Sequence, residues 1–494
     1  MSKYRSTTPA AGYALDTLTV KQGETDVTVE NNQFTMPAGD VTVSATFREI
    51  DYAIDTSGIT NGTVTMQVGQ TENVTTAHYS DTVTLAATPA AGYALGSWDV
   101  RDAENNPVTV TNDAFTMPAS DVTVSALFLK KAENVPYIDA DGSPATQDAY
   151  ILEGDHSTLP GGWYYVPEGS VSYPAGITFT GDANLILADG CNLTVGSAND
   201  ETVISGLMVW DSATSTIKDL TVYGQSGQTG RLTATGSYIG IQADDVAIYG
   251  GDIEAKSAET GYYGLYGTSS VTIARGSVTA RGGNGIVAFP KGGGQATVTI
   301  TGGTVNATAT GQNGFGISGK DSLTISGGTV NATGTGQAYA IGGVGDVSVT
   351  GGNVTATCEN GQGFYSADGN ITLGWTNATD SIKANRYYVN TGKNKTVSVQ
   401  TGKYLYDAAG KVYYSGDITG NADDLKNVTL TPANIIIEAS EHGSVATESG
   451  VYYAAKDDTV TLTVKPDASY ELASLKVNGT EKKDEVSDDI PRIS

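Results

Sequence analysis

The segment LTISGGTVNATGTG at residues 323–336 repeats, almost letter for letter, VTITGGTVNATATG at 298–311. The same grammar returns as VAIYGGDIEAKS from Val246, VTIARGSVTARG from Val271 and VSVTGGNVTATC from Val347. Repetition at about 25 residues is the mark of a stacked linear architecture. Within one period, Leu323, Ile325, Val330 and Ala332 share one parity, and Thr324, Asn331 and Thr333 the other. A third short strand, YAIGG at 339–343, completes the period. Three strands with three corners describe one triangular coil, so the predicted fold class is all-β: a right-handed parallel β-helix flanked by small antiparallel β repeat domains. The Gly-Gly pairs at 250–251, 302–303, 327–328 and 351–352 mark a repeated corner, where a residue without Cβ can take positive φ.

One such coil cannot fold alone, because the entropy of ordering its backbone exceeds what its few inward aliphatics recover. The remainder has to come from hydrogen bonds and aliphatic columns shared with the coils above and below. Near-identity between periods is thus a condition of stacking in register.

The rest of the composition agrees. Only 16% of the 494 residues are charged, and no stretch holds helical spacing of apolar residues over three turns. The formal charge of −27 is spread along the chain, which excludes a nucleic-acid partner for want of a basic footprint. Cys191 and Cys358 are six or seven periods apart, about 30 Å along a stack of strands spaced by about 4.8 Å, too far to pair. No transmembrane run or signal peptide is visible, and no direct membrane insertion is expected.

A second kind of repetition flanks the coils. Residues 8–47, TPAAGYALDTLTVKQGETDVTVENNQFTMPAGDVTVSATF, match 88–128, TPAAGYALGSWDVRDAENNPVTVTNDAFTMPASDVTVSALF. The second copy has a preamble, YAIDTSGITNGTVTMQVGQTENVTTAHYSDTVTLAATPAAGY, and a diverged third copy runs from 435 to 479 and stops before any FTMPA phrase. The GY-L…V…F-MPA-DV-V-A-F pattern resembles the divergent InlB B-repeat, or bacterial repeat domain, of bacterial surface proteins. That resemblance implies a spacer or adhesive stalk. The expected organisation is a partial repeat at 1–48, a second repeat at 49–130, a linker and cap at 131–161, the β-helix at 162–430 and a partial third repeat at 431–494. The chain reads as a monomeric fragment of a larger extracellular, secreted or wall-associated protein.

Two further resemblances concern the coils. GDANLILADGCNLTVG and the phrases after it are similar to pectin-lyase-like β-helices, and the LTISGGTVNATGTG coils look like a carbohydrate-binding parallel β-helix family whose members bind plant polysaccharides and calcium. They imply a polysaccharide or host-surface glycan as partner, with calcium as the one candidate ion and no required cofactor.

Catalysis would need paired carboxylates about a scissile bond, or a base beside a cation. An acidic doublet stands at Asp244–Asp245, but the GHG and RIK phrases of polygalacturonases are missing, and His78, His156 and His442 lie outside the regular coils. No catalytic residue is assigned; a calcium-dependent lyase or hydrolase is the alternative to a non-catalytic adhesin, and a purely structural spacer the third reading. Asp244, Asp245, Asp321, Asp346 and Asp368 read first as turn residues before each strand. Asp321, Asp346 and Asp368 are the candidate metal ligands. Parity places Tyr263, Phe315, Tyr339 and Phe364 inside as an aromatic stack. Tyr262, Tyr266 and Tyr365 point outward, and with Phe289 and Trp375 they form the candidate carbohydrate-binding set. Outward Thr and Asn rows at 304–308, 329–333 and 353–357 suit exposed strands, water ordering of the ice-binding kind being the alternative.

Overall fold

The computed structural model describes residues 8–481, apart from 199, 201, 410, 415, 419–424, 438–440, 448–451 and 455–457. The chain divides into two units, Met1–Ala132 and Glu133–Ser494.

The second unit is a parallel β-solenoid of about nine turns with no α-helix among the described residues. Each coil has three faces. On the first, Leu323 and Ile325 stand beside Val347 and Val349; on the second, Val330 and Ala332 stand beside Val354 and Ala356. On the third, Ile341 stands beside Phe364. All of these side chains are buried to 1% exposure or less. From Leu220 to Val397 the first-face register advances by 24 to 27 residues per coil, the period read in the sequence. The longer coil at 271–298 takes up its extra residues in the loop around Pro290.

The glycine corner lies between the first and second faces, and its two residues answer different constraints. The second of each pair takes positive φ: Gly303 at 77°, Gly328 at 85° and Gly352 at 87°. The first does not, but a Cβ at Gly327 would lie 2.3 Å from the Thr301 carbonyl oxygen of the coil beneath. One glycine is there for its backbone angle, the other for close approach.

Solenoid pairing begins earlier than expected. Tyr150 and Ile151 already pair in parallel with Tyr164 and Tyr165, so part of the presumed linker at 131–161 is first-coil structure. The stretch before it is also bound down: Tyr137 packs against Trp163 and Tyr223, and Pro136 accepts a hydrogen bond from Gln225 Nε2 at 3.0 Å. Arg275 donates to the carbonyls of Asp139 and Ala140, which gives that arginine a structural task. At the other end, parallel pairing stops at Leu373 with Val399. Val428–Ala433 then pairs antiparallel with Ser381–Ala384 and Tyr404–Tyr406. Reversing strand direction covers the edge that a further coil would otherwise extend. Cys191 and Cys358 are separate, free and buried.

In the first unit, the second repeat packs two antiparallel layers. Thr82–Pro89 pairs with Gly62–Val68 and Ala114–Thr116, and Tyr93–Asp102 pairs with Val122–Ile138. Val83, Leu85, Val100, Phe115, Met117 and Val124 fill the space between. The first repeat keeps the equivalent of the second layer, Tyr13–Gln22 against Thr42–Glu49, with a bulge after Leu15 where the second repeat has one after Leu95. The third repeat, in the other unit, keeps the Gly443–Thr447 and Leu462–Pro466 pair.

Gly328→Ala should lower stability by about 1–3 kcal/mol, because the new Cβ meets both a strained φ and the Gly303 oxygen at 2.7 Å. Gly336→Ala, at φ 59° but facing open space, should cost less. Equilibrium denaturation of the two variants side by side checks the order.

Candidate functional site

The third face carries most of the aromatic surface of the coils. From the strand that opens at Tyr263 to the one that opens at Gln362, each strand begins with a residue that is only half-buried, followed by two buried residues, as in Tyr263–Gly264–Leu265. Strict alternation therefore fails at the corner. A Cβ on Gly264 would sit 2.7 Å from the Arg281 backbone nitrogen and 2.9 Å from the Gly285 oxygen, so both this glycine and the next aliphatic turn inward. The opening residue is left on the outside.

That geometry corrects the expected interior stack. Tyr263, Phe315 and Tyr339 are half-buried on the outer surface, whereas Phe364 takes the inward position beside Ile341 and is fully buried. Phe315 stacks on Tyr339 at 4.9 Å between centroids, Tyr339 meets Tyr365 at 4.3 Å, and Tyr365 stacks on Tyr388 at 5.1 Å. Gly342, level with Tyr365 in the preceding coil, has no side chain to separate these rings. Four successive coils thus contribute one aromatic ladder running along the stack.

A second group lies on the same face, lower in the solenoid. Tyr263 stacks on Tyr266 at 4.6 Å, Tyr262 meets Tyr238 edge-on at 4.4 Å, and the Tyr266 hydroxyl donates to the Phe289 carbonyl at 2.8 Å. Tyr262 is 42% exposed and Phe289 48%, so each keeps a ring face open to solvent. Lys320 Nζ lies 5.8 Å from the Phe289 ring centroid. Burial raises the pKa of the Tyr263, Tyr266 and Tyr365 hydroxyls, which stay neutral through the physiological range.

Of the candidate sugar-binding residues, the structure joins Tyr266 to Phe289, packs Tyr262 on Tyr238 and puts Tyr365 in the ladder above them. Trp375 is elsewhere. Its indole donates to the Tyr404 carbonyl at 2.8 Å, its ring meets Tyr453 edge-on, and Lys403 covers it at 4.0 Å, all at the C-terminal end of the stack. Tyr238 and Tyr388 were missed by sequence reasoning. Both sit one coil away from a selected tyrosine, and register was the signal that could have found them.

Two of the three candidate aspartates hold backbone groups of neighbouring coils. Asp321 accepts from the Ala296 N–H at 2.7 Å and Asp346 from the Asn370 N–H at 2.8 Å, while Asp368 pairs with Lys393. They also stand at different register positions: Asp346 is level with Ser322, not with Asp321, and Asp368 is three residues ahead of Ile371. The structure does not bring the three together, and no group of three or more His, Cys, Asp or Glu suited to a metal ion occurs among the described residues.

A tighter carboxylate row lies lower down. Asp182 accepts from the Asp219 N–H and Asp219 from the Asp245 N–H, each at 3.1 Å, and Asp244 accepts from Ser269 at 2.6 Å and from Thr268. Burial raises the Asp219 pKa, and the carboxylates of Asp245, Asp182 and Asp244 add to the rise against the Asp245 N–H. On the second face, Asn331 donates to Asn306 at 3.1 Å, but the Thr and Asn rows end below at Arg231, Glu254 and Lys256, which form ion pairs.

These features define an all-β repeat protein, in which a β-solenoid carries an aromatic surface on its third face and small antiparallel modules accompany it. Three segments, 6–51, 52–132 and 433–490, match the family model of the divergent InlB B-repeat domain. The chain therefore carries these bacterial repeat domains in its N-terminal and C-terminal regions, with the solenoid between them in sequence, a combination that fits a surface or structural protein. No curated protein and no solved structure gives a significant match to the chain. No helix among the described residues is long and apolar enough to cross a membrane.

Asp219→Asn keeps the acceptor for the Asp245 N–H and removes a charge that the folded state disfavours. A carboxyl whose folded pKa is raised weakens the fold once pH exceeds its unfolded value, 3.8. The variant should unfold at higher temperature than the parent at pH 7, and the gain should vanish as pH falls below that value; thermal scans across pH test both halves.

Proposed function

We propose that this protein is a non-catalytic, cell-surface adhesin or carbohydrate-binding stalk of a bacterium, acting outside the cell on a polysaccharide or host-surface glycan. The aromatic field on the third face carries the reading. Open faces at Tyr262 and Phe289 can stack on the apolar C–H face of a pyranose ring, while the stacked ladder from Phe315 to Tyr388 presents mostly ring edges and so serves as a flanking surface. Asn284 lies in the coil between the two groups, but its side-chain oxygen is engaged by the Phe315 N–H at 2.9 Å. Single stacking contacts are weak, and an extended glycan that crosses several coils would engage many at once.

Calcium is a secondary element of the proposal. Asp321 and Asp346 accept backbone N–H groups and Asp368 pairs with Lys393, so binding is expected to survive chelation. The enzyme alternative draws no support from the carboxylate row, whose members accept backbone and hydroxyl donors and are not arranged as a separated pair.

A glycan array in calcium buffer, repeated with chelator, identifies the ligand class, and titration calorimetry then tests the surface. Tyr262→Ala and Phe289→Ala should each weaken binding by about three- to tenfold, in line with about 0.5–1.5 kcal/mol per aromatic contact. Trp375→Ala should leave affinity unchanged. If the array retains nothing in either buffer, the spacer reading takes over; sustained release of reducing or unsaturated ends from pectins or glucans would replace the proposal with an enzyme.

A further inference from the structure

One coil breaks the corner rule, and it does so where another part of the chain is fastened. Level with Gly250, Gly302, Gly327 and Gly351 stands Arg275, the only one of these five corner residues that is not glycine. A Cβ at Gly302, Gly327 or Gly351 would come within 2.4 Å of a carbonyl oxygen in the coil beneath. Arg275 meets the corresponding oxygen as a donor instead: its Nε bonds the Tyr249 carbonyl at 3.3 Å. The rest of its guanidinium reaches the carbonyls of Ala140, at 3.2 Å, and Asp139. A residue that departs from an otherwise regular local pattern points to a task beyond stacking.

What Arg275 holds is the tip of a hairpin. Val122–Ile138 leads into it and Pro144–Ile151 returns beside it. The tip is tied internally: the Asp139 N–H donates to the Ser143 carbonyl and the Gly142 N–H to the Asp139 carbonyl, both at 2.9 Å, and the Asp141 carboxylate accepts from the Ser143 N–H at 2.7 Å. The coils beneath Arg275 are shaped to receive the hairpin. The residue just before the corner is aromatic in the two coils below, Tyr223 and Tyr249, and small or hydroxylated from there on, at Ala274, Thr301, Ser326 and Thr350. Tyr223 stacks on Trp163 at 5.3 Å and on Tyr249 at 5.6 Å, and Tyr137 of the hairpin lies against Trp163 and Tyr223 at 5.3 and 4.9 Å. Tyr137 and Tyr223 are each only 8% exposed. Gln225 adds its hydrogen bond to the Pro136 carbonyl. The hairpin is thus attached from the strand Gly162–Val166 to the strand Tyr263–Ile273, along the side of the stack.

We infer that residues 133–143 are a tension clamp, which fastens the chain where it enters the solenoid. The two N-terminal repeats are joined to the coils through this hairpin, so a pull on the repeats reaches it before any coil. The first coil alone would resist poorly, since its opening strand pairs in parallel through only Tyr150 and Ile151. The contacts of Tyr137, Gln225 and Arg275 lie one after another along the stack, so a pull along the axis loads them together instead of opening the end coil bond by bond. The clamp serves a binding stalk and a plain spacer equally, and its test is independent of any ligand.

Force spectroscopy of the full chain, with one handle in the second repeat and one in the third, reads the clamp as a step of up to about 60 Å, the chain from Glu133 to Tyr150 at about 3.5 Å per residue. Arg275→Gly supplies the residue that the neighbouring coils use. This variant should denature at the parent's midpoint or above it, while the lifetime of the step under constant load falls about tenfold or more. Arg275→Lys keeps the charge without the planar fork and should fall between the two. Without load, hydrogen exchange at residues 139–143 should quicken in Arg275→Gly and stay unchanged at 298–300. Equal lifetimes for the parent and Arg275→Gly overturn the inference, as does a chain whose coils unravel before the step appears.

Discussion

Everything in the solenoid depends on one constraint: each coil must lay its strands in parallel register on the coil before it. The inward columns, such as Val305, Val330, Val354 and Ile382, exist only because the backbone ladder holds these residues level. Ladder and column stabilise each other. A shift of one residue would turn every valine outward and every threonine inward, which is why the repeats are nearly identical in the middle of the stack. Where coils diverge, as between Leu185 and Val222, the longer connection is carried at the corners and the columns are kept.

The same constraint organises the surface. Residues that share a register position become neighbours along the stack whatever their separation in sequence, so an aromatic placed once per period becomes a ladder. Asparagines behave likewise on the second face, and aspartates at the turns between coils. Such a surface is one-dimensional and repetitive, and its neighbours along the stack are set by register. The carboxylate row from Asp182 to Asp245 illustrates this: its members meet, but as successive turn acceptors.

The repeat modules obey a different rule. A two-layer β domain needs both layers, and the second repeat has them. Its core residues differ little in type from those of the first repeat, yet Met117 is fully buried and Met36 is 59% exposed. Burial here is set by which strands are present, and side-chain identity alone says nothing about it.

The period, the three faces, the glycine corner and the inward aliphatics were all legible in the sequence, since each follows from parity and from repetition. So were the repeat modules, through FTMPA and the GY phrase. What parity could not show is where alternation breaks: two consecutive buried residues at the third-face corner put Tyr263, Phe315 and Tyr339 outside, against the expectation of an internal stack. Nor could it show that Trp375 belongs to the end of the stack, or that Arg275 holds down residues 139–140 from 135 positions away. Local periodicity is a property of the strand and can be read in one dimension. Corners, end caps and the neighbours of a given ring are decided by which coil lies against which, and only the folded stack supplies that.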